Sequence, residues 1–226
     1  MVTIDCGRLS TRAVNQQLST LSDGAEVRLM NPAGRHNLAL GLEKAIHVDV
    51  DGHCGYYYGG MNKNAKIVIH GNAGQGVGEN MMSGLIRVKG FASSAAGASA
   101  RGGLLVIEKD AGLRCGISLK GGNIVVGGKV GNFSAFMAQA GTLLVCGDAG
   151  EALGDSLYET VIYLRGRYRS LGADAREEPM TPADHGTVAE LLRLSGFDQI
   201  CETGEFKRIA SAKTLYHFDV DKEQSY

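Results

Sequence analysis

The chain has 226 residues, 44% apolar and 21% charged, which is enough for one large folded domain or one domain with appendages. A net charge of −1 excludes the global electrostatic footprint of a nucleic-acid binder or an anionic-membrane binder. Glycine stands at 33 residues against only three prolines, without the every-third spacing of collagen and interleaved with Ile and Val runs that a flexible linker would lack. No apolar stretch is long enough to span a bilayer, and the opening MVTIDCGRLS lacks the basic-then-apolar pattern of a signal peptide. The five cysteines (Cys6, Cys54, Cys115, Cys146, Cys201) are odd in number and never in a CxxC arrangement. They are expected to be reduced thiols of a cytoplasmic chain.

Residues 1–46 read as an amino-terminal cap. A helix is expected over 10–22, capped by Ser10 or Thr11, with Val14, Leu18 and Leu21 on one face and Asp23-Gly24 as its stop. Residues 25–30 alternate like a strand, which Asn31-Pro32 ends.

Residues 47–170 carry an internal repeat of 19 residues. Val48, Ile67, Ile86, Leu105, Ile124, Leu143 and Ile162 share one repeat position. Val50, Ile69, Val88, Ile107, Val126, Val145 and Leu164 share the position two further on. Positions two apart lie on the same side of a strand. Glycines hold the same phase, in the series Gly84, Gly103, Gly122, Gly141 and in the series Gly59, Gly78, Gly97, Gly116, where Ala135 interrupts before Gly154. No single repeat buries its own aliphatic side, so the core must come from stacking. The predicted fold is all-β: a right-handed parallel β-helix of about seven turns, each with three short strands and three bends, flanked by short α/β caps.

Residues 171–226 form an extension. The stretch 170–181 is polar and reads as a loop, and a helix starts at Thr181-Pro182, presents Val188, Leu191 and Leu192, and stops at Gly196.

Few residues suggest chemistry. The six histidines (His36, His47, His53, His70, His185, His217) show neither HxxxH nor HExxH spacing, and adjacent His53 and Cys54 should point to opposite sides of a strand. Gly74-Gln75-Gly76-Val77-Gly78 misses the dinucleotide-loop spacing and is followed by another repeat rather than a helix, so turn glycines are expected. Asp148, Asp155 and Glu159 resemble an acid cluster but lack any sign of a cleft. Tyr56, Tyr57 and Tyr58 should place at least one ring outward on a strand, as a partner contact or as ordinary surface. Arg165, Arg167 and Arg169 alternate along one strand side, as an anion or partner site or a solvated edge. Phe133, Phe136 and Met137 fall in one bend, either as core or as a projecting apolar knob. No residue is assigned a catalytic, cofactor-binding or metal-ligating role.

The stretches GNAGQGVGENMMSGLIRVKG (71–90), RCGISLKGGNIVVGGKVGNFSAFMAQAG (114–141) and CGDAGEALGDSLYE (146–159) resemble the glycine-rich β-helix domain of glutamate synthase, over roughly residues 35–170. With the free-standing chain and HCGYYYGGMNKNA (53–65), the resemblance points most closely to the small β-helix subunit of N-methylglutamate synthase. That resemblance implies a non-catalytic, channel-forming subunit in a hetero-oligomer. One partner would be an amidotransferase-like subunit. The other would be a flavin-binding, glutamate-synthase-like subunit holding FMN and an iron–sulfur cluster, with no cofactor on this chain. The assembly would convert methylamine and glutamate to N-methylglutamate and ammonia. The β-helix subunit of a formylmethanofuran dehydrogenase complex is the alternative. A stand-alone β-helix acyltransferase fits less well, because its hexapeptide repeat does not divide 19.

Overall fold

The structure, a computed structural model, describes residues 1–215, so His217 and the final residues to Tyr226 lie outside the described residues. It is a parallel β-helix built on one long sheet. Strands β1 (Val2–Asp5), β2 (Glu26–Met30), β3 (His47–Val50), β4 (Lys66–Ile69), β5 (Leu85–Val88), β6 (Leu104–Ile107), β7 (Lys120–Val126), β8 (Ala140–Val145) and β9 (Val161–Leu164) stack in chain order, all parallel. The aliphatic column pairs in register: Val48 with Ile67, Ile67 with Ile86, and so on to Leu143 with Ile162. Its side chains are fully or almost fully buried in one continuous core. Burying a side chain of this size contributes about 1.5–3 kcal/mol, so seven aligned rows dominate the stability of the stack. Residues 1–46 supply β1 and β2 to the same sheet, Val27 pairing with Val48 across a longer turn.

The expectation of three strands per turn is corrected. A second wall exists, but each turn contributes only one bridging residue to it, in the series Cys54, Ala73, Ala92, Ala111, Val130, Ala149, Tyr168. The third side contains no strand. In each turn, three alternate residues there adopt left-handed backbone, as in Tyr57 (φ 57°), Gly59 (65°) and Met61 (56°), or Phe133 (57°), Ala135 (57°) and Met137 (52°). The alternation sends successive amides in opposite directions: Tyr57 N–H donates to Gln75 O of the following turn (2.8 Å), Gly59 N–H to Leu38 O of the preceding one (3.1 Å), and Met61 N–H forward again to Glu79 O (2.8 Å). Backbone polar groups are thereby paired between turns without a strand ladder. At Gly97 (φ +67°) an added Cβ would lie 2.5 Å from Ile124 Cδ1, so both conformation and packing call for glycine there.

Helix α1 (Thr11–Ser19) closes the first turn with Val14 and Leu18 buried. Ser10 Oγ accepts from Ala13 N (3.2 Å), fixing the cap at Ser10. The helix stops short of residue 22 because Thr20 turns back, its hydroxyl donating to Gln17 O (2.9 Å).

At the far end the chain reverses. β10 (Ala175–Glu178) and β11 (Lys207–Ser211) are antiparallel to each other, and β11 runs antiparallel to β9. The polar stretch expected as a loop thus holds an edge strand, AREE, whose charges face solvent or the ion pairs Arg176–Glu178 and Lys207–Glu177. A charged outer strand ends the sheet without inviting further pairing.

Helix α2 (Pro182–Ser195) forms where expected. Thr181 and Asp184 make a reciprocal capping box, and Gly196 ends the helix in left-handed conformation (φ 75°). It lies on the outer side of the sheet, where the middle strand position changes from Arg87 to Val106, Val125, Leu144 and Tyr163. These pack with Val188, Leu191 and Leu192 in a second apolar cluster. Both helix ends are tied down: Tyr163 Oη donates to Asp184 Oδ1 (2.6 Å), and Arg87 Nη2 donates to Ser195 O (3.0 Å). From Arg87 to Tyr163 is four strand spacings, about 19 Å, close to the length of about 21 Å of a 14-residue helix. Among the described residues no helix is long and apolar enough to cross a membrane.

Candidate functional site

The repeat places side chains in straight columns, so the surface is read column by column. Tyr57 and Phe133 hold the same repeat position four turns apart, and so do Met61 and Met137. All four are exposed, at 41%, 42%, 50% and 37%. Four turns of the stack separate the pairs by about 19 Å. The third side therefore carries two apolar knobs with Gly76, Ala95 and Arg114 in the same column between them. Phe136 packs edge-on against Phe133 (6.1 Å, 90°), bracing the second knob.

The tyrosine triplet lies in this bend rather than on a strand. Tyr56 and Tyr57 point outward, while Tyr58 is fully buried. His36 stacks on Tyr56 (4.3 Å between centroids, 16°) and its Nδ1 accepts from Tyr56 N (2.9 Å).

The second wall carries a groove made of two adjoining cavities. One, of about 610 Å³, is bordered by Lys129, Asn132, Asp148, Arg167 and Arg169. The other, of about 510 Å³, includes the exposed apolar side chains Phe91 and Leu113 with Lys109. Lys129, Arg167 and Arg169 meet Asp148 there, and two of them are paired beyond the lining, Lys129 with Asp110 (4.0 Å) and Arg169 with Glu151 (4.0 Å), so the groove is lined by charges of both signs.

The remaining candidates are dispersed. Asp148, Asp155 and Glu159 do not form a cluster. Asp148 Oδ1 accepts from Arg167 N (2.7 Å), Asp155 Oδ2 accepts from Ala173 N (3.2 Å), and Glu159 pairs with Lys213 (3.9 Å). The two aspartates join a series of acceptors that clamp successive turns: His53 Nδ1 takes Asn72 N, Asn72 Oδ1 takes Phe91 N, and Asp110 Oδ1 takes Lys129 N. His53 and Cys54 do point apart, outward and inward. His70 bonds Asp49 (2.9 Å), and His47 lies 3.6 Å from the same carboxylate. His185 sits in the first turns of α2. The arginine series does not share one strand side, because Gly166 bends the chain after β9. Arg165 turns towards Glu205 (2.9 Å) and Cys201, whereas Arg167 and Arg169 border the groove. Gly74 to Gly78 are bend residues with Gly76 and Gly78 left-handed, and β5 follows them. Among the described residues no three of His, Cys, Asp and Glu gather in a way that would hold a metal ion.

The sequence reading missed the middle strand position. The column reads Asp49, Val68, Arg87, then Val106, Val125, Leu144 and Tyr163, and the unbroken apolar run after Arg87 marks the side covered by α2.

No family model matches the chain. Protein GlxC of Rhizobium meliloti (strain 1021) is 47% identical to it over 229 residues, an alignment that spans the whole of both chains.

Proposed function

The chain belongs to the same family as Protein GlxC, and on that premise we propose that it is a structural subunit of a glutamate-synthase-like complex. The full-length likeness fits the glycine-rich repeat that suggested that family, and the repeat runs through strands β3 to β9 of the parallel stack. In its finer form the proposal is N-methylglutamate synthase. The β-helix would bridge an amidotransferase-like subunit and an FMN-binding subunit, and the flavin and iron–sulfur cluster would be held by the latter. The observation that carries a bridging role is the pair of exposed apolar knobs, Tyr57 with Met61 and Phe133 with Met137, in register on one side of a rigid rod. Exposed aromatic and methionine side chains are characteristic of interface centres. The groove on the second wall, which ends at Asn132 beside the Phe133 knob, supplies an adjoining surface of mixed charge.

Affinity purification from native cells, with mass spectrometry and an absorbance spectrum, tests the proposal. Expected are two co-purifying chains, a flavin spectrum, and N-methylglutamate formed from methylamine and glutamate. Molybdenum or tungsten in the recovered complex would favour the formylmethanofuran alternative. A colourless chain recovered alone would overturn the proposal.

A further inference from the structure

The two knobs on the third side share their repeat positions but not their surroundings. Phe133 is braced by Phe136, whereas the position equivalent to Phe136 in the turn of Tyr57 is Gly60. The exposed Tyr57 ring meets an acid from the following turn instead. A Cβ added at Gly76 would lie 2.9 Å from Glu79 Oε2 and 3.0 Å from Tyr57 Cδ1, so carboxylate and ring stand over the same bare glycine. They are within about 6 Å of each other, close enough for one cation to engage both. Met61, also exposed, is tied to the same residue, its N–H donating to Glu79 O (2.8 Å). The Glu79 side chain is half-buried and has neither a hydrogen-bond donor nor an ion-pair partner among the described residues. Burial pushes its carboxyl above the ordinary value of 4.5. A carboxylate that has given up water without gaining a donor is costly to keep. Its equivalent four turns on, Asp155, has no such vacancy: its oxygens are taken by Ala173 N (3.2 Å) and Ser156 Oγ (2.7 Å).

Given a partner subunit on this side of the rod, as proposed above, we infer that Tyr57, Met61 and Glu79 form a seat for an arginine side chain of that partner, its guanidinium stacked on the Tyr57 ring and paired with the Glu79 carboxylate. Arginine fits better than lysine. Its planar, weakly hydrated head stacks on an aromatic face and offers a carboxylate two parallel N–H donors. Its aliphatic stem can lie along Met61. No cation of this chain competes for the seat: Lys63, which follows in the same bend, is engaged by Glu43. The two knobs then do different work. The second, with Phe136 behind Phe133, offers apolar contact, while the first adds a charge that must be met. An unpaired carboxylate at one end of a repeating surface rejects a partner docked one or more turns out of register, because the arginine would then be left without its acid.

The test has two arms, both on the full chain. In the first, Nα-acetyl-arginine methylamide is titrated into the isolated protein while the Met61 methyl and Tyr57 ring resonances are followed. Both should shift saturably in the parent, about tenfold more weakly in Glu79→Gln, and not at all with the uncharged citrulline analogue. In the second arm, Glu79→Gln is purified from native cells. Recovery of one subunit should fall about tenfold, and what remains should depend less on salt than the parent's does. The urea midpoint of the variant should be unchanged or higher, because an unpaired half-buried charge has been removed. No shift in the parent, or shifts that Glu79→Gln keeps in full, would overturn the seat. Shifts lost in Glu79→Gln without any change in subunit recovery would overturn the partner's arginine as its occupant. A parent chain recovered alone would overturn the complex itself, and the titration would then decide the seat independently.

Discussion

At the residue scale, the most informative side chain is Tyr58. Its ring is fully buried, its hydroxyl has no nitrogen or oxygen partner among the described residues, and its neighbours include the thiols of Cys54 and Cys6. Burial pushes it well above the ordinary tyrosine value, so it is neutral at any relevant pH. A buried hydroxyl without a partner costs about 1–3 kcal/mol. Tyr58→Phe is therefore expected to raise stability by about 1 kcal/mol in urea unfolding, and an equal loss would reveal a hydrogen bond of that hydroxyl. Gly97 and Ala135 make a matched pair, because they hold one repeat position and both are left-handed. Gly97→Ala adds a left-handed penalty of about 1–2 kcal/mol to a methyl pressed on Ile124, and should destabilise by at least that much. Ala135→Gly relieves the same penalty but removes a buried methyl worth about 0.8 kcal/mol, so stability should stay within about 1 kcal/mol of the parent. Equal effects in the two variants would mean that the column is not structurally equivalent from turn to turn.

At the element scale, α2 shows how a helix is fixed to a β-helix wall. Its boundaries were legible because Thr181, Pro182 and Gly196 each act within a few residues. Its docking position needed a long-range comparison, the change from Arg87 to Val106 and the rows beyond. β10 was not legible, because AREE pairs with β11 through backbone groups and its side chains give no apolar alternation. The left-handed side was hidden for a related reason: nothing in Tyr57, Arg114 or Phe133 advertises positive φ, which is imposed by hydrogen bonds to neighbouring turns. Asp184 concentrates the docking energy. Burial acts to raise its carboxyl, but hydrogen bonds from Thr181 and Tyr163 outweigh it and hold the group below the ordinary value of 3.8. Asp174, beside β11, behaves alike: burial opposes, yet Thr214 and Ser211 bring it to about 2. A carboxyl lowered by folding contributes stability that is complete above its unfolded value and is lost as pH falls through the folded one. Attachment of the carboxy-terminal segment should therefore hold down to about pH 4 and weaken between there and about pH 2. Limited proteolysis across that range should cut near residues 197–206 before it cuts the solenoid. Asp184→Ala removes the capping box and leaves the Tyr163 hydroxyl unpaired, for an expected loss of about 2–3 kcal/mol at neutral pH. A parent chain cleaved no faster at pH 3 than at pH 7 would contradict the carboxylate lock.

At the scale of the whole molecule, the 19-residue period turns sequence position into place on a rod. Its aliphatic and glycine columns were readable because stacking requires the same residue type at the same phase in every turn. Surface columns carry no such requirement, so departures from small or polar residues stand out. Apolar side chains recur at Tyr57 and Phe133, and at Met61 and Met137, with a bend of ordinary surface composition between them. In the sequence alone Phe133 and Met137 were equally compatible with core. The structure separates them by burying Ser134 and Ala135 and leaving the flanking residues outside. If this side is where a partner seats, a charge at its centre should cost binding without costing folding. Phe133→Asp with Met137→Asp is expected to leave the urea midpoint of the isolated chain nearly unchanged, because neither side chain fills the core. Recovery of the co-purifying subunits should fall about tenfold or more, equivalent to at least about 1.4 kcal/mol of lost contact. The same exchange at Lys129 and Arg167 tests the groove on the second wall independently. If the knob variant loses one subunit and the groove variant another, two adjoining surfaces hold two partners and the rod is a bridge. If both lose the same subunit, one partner wraps two sides, and the path between active sites would run outside the β-helix rather than along it.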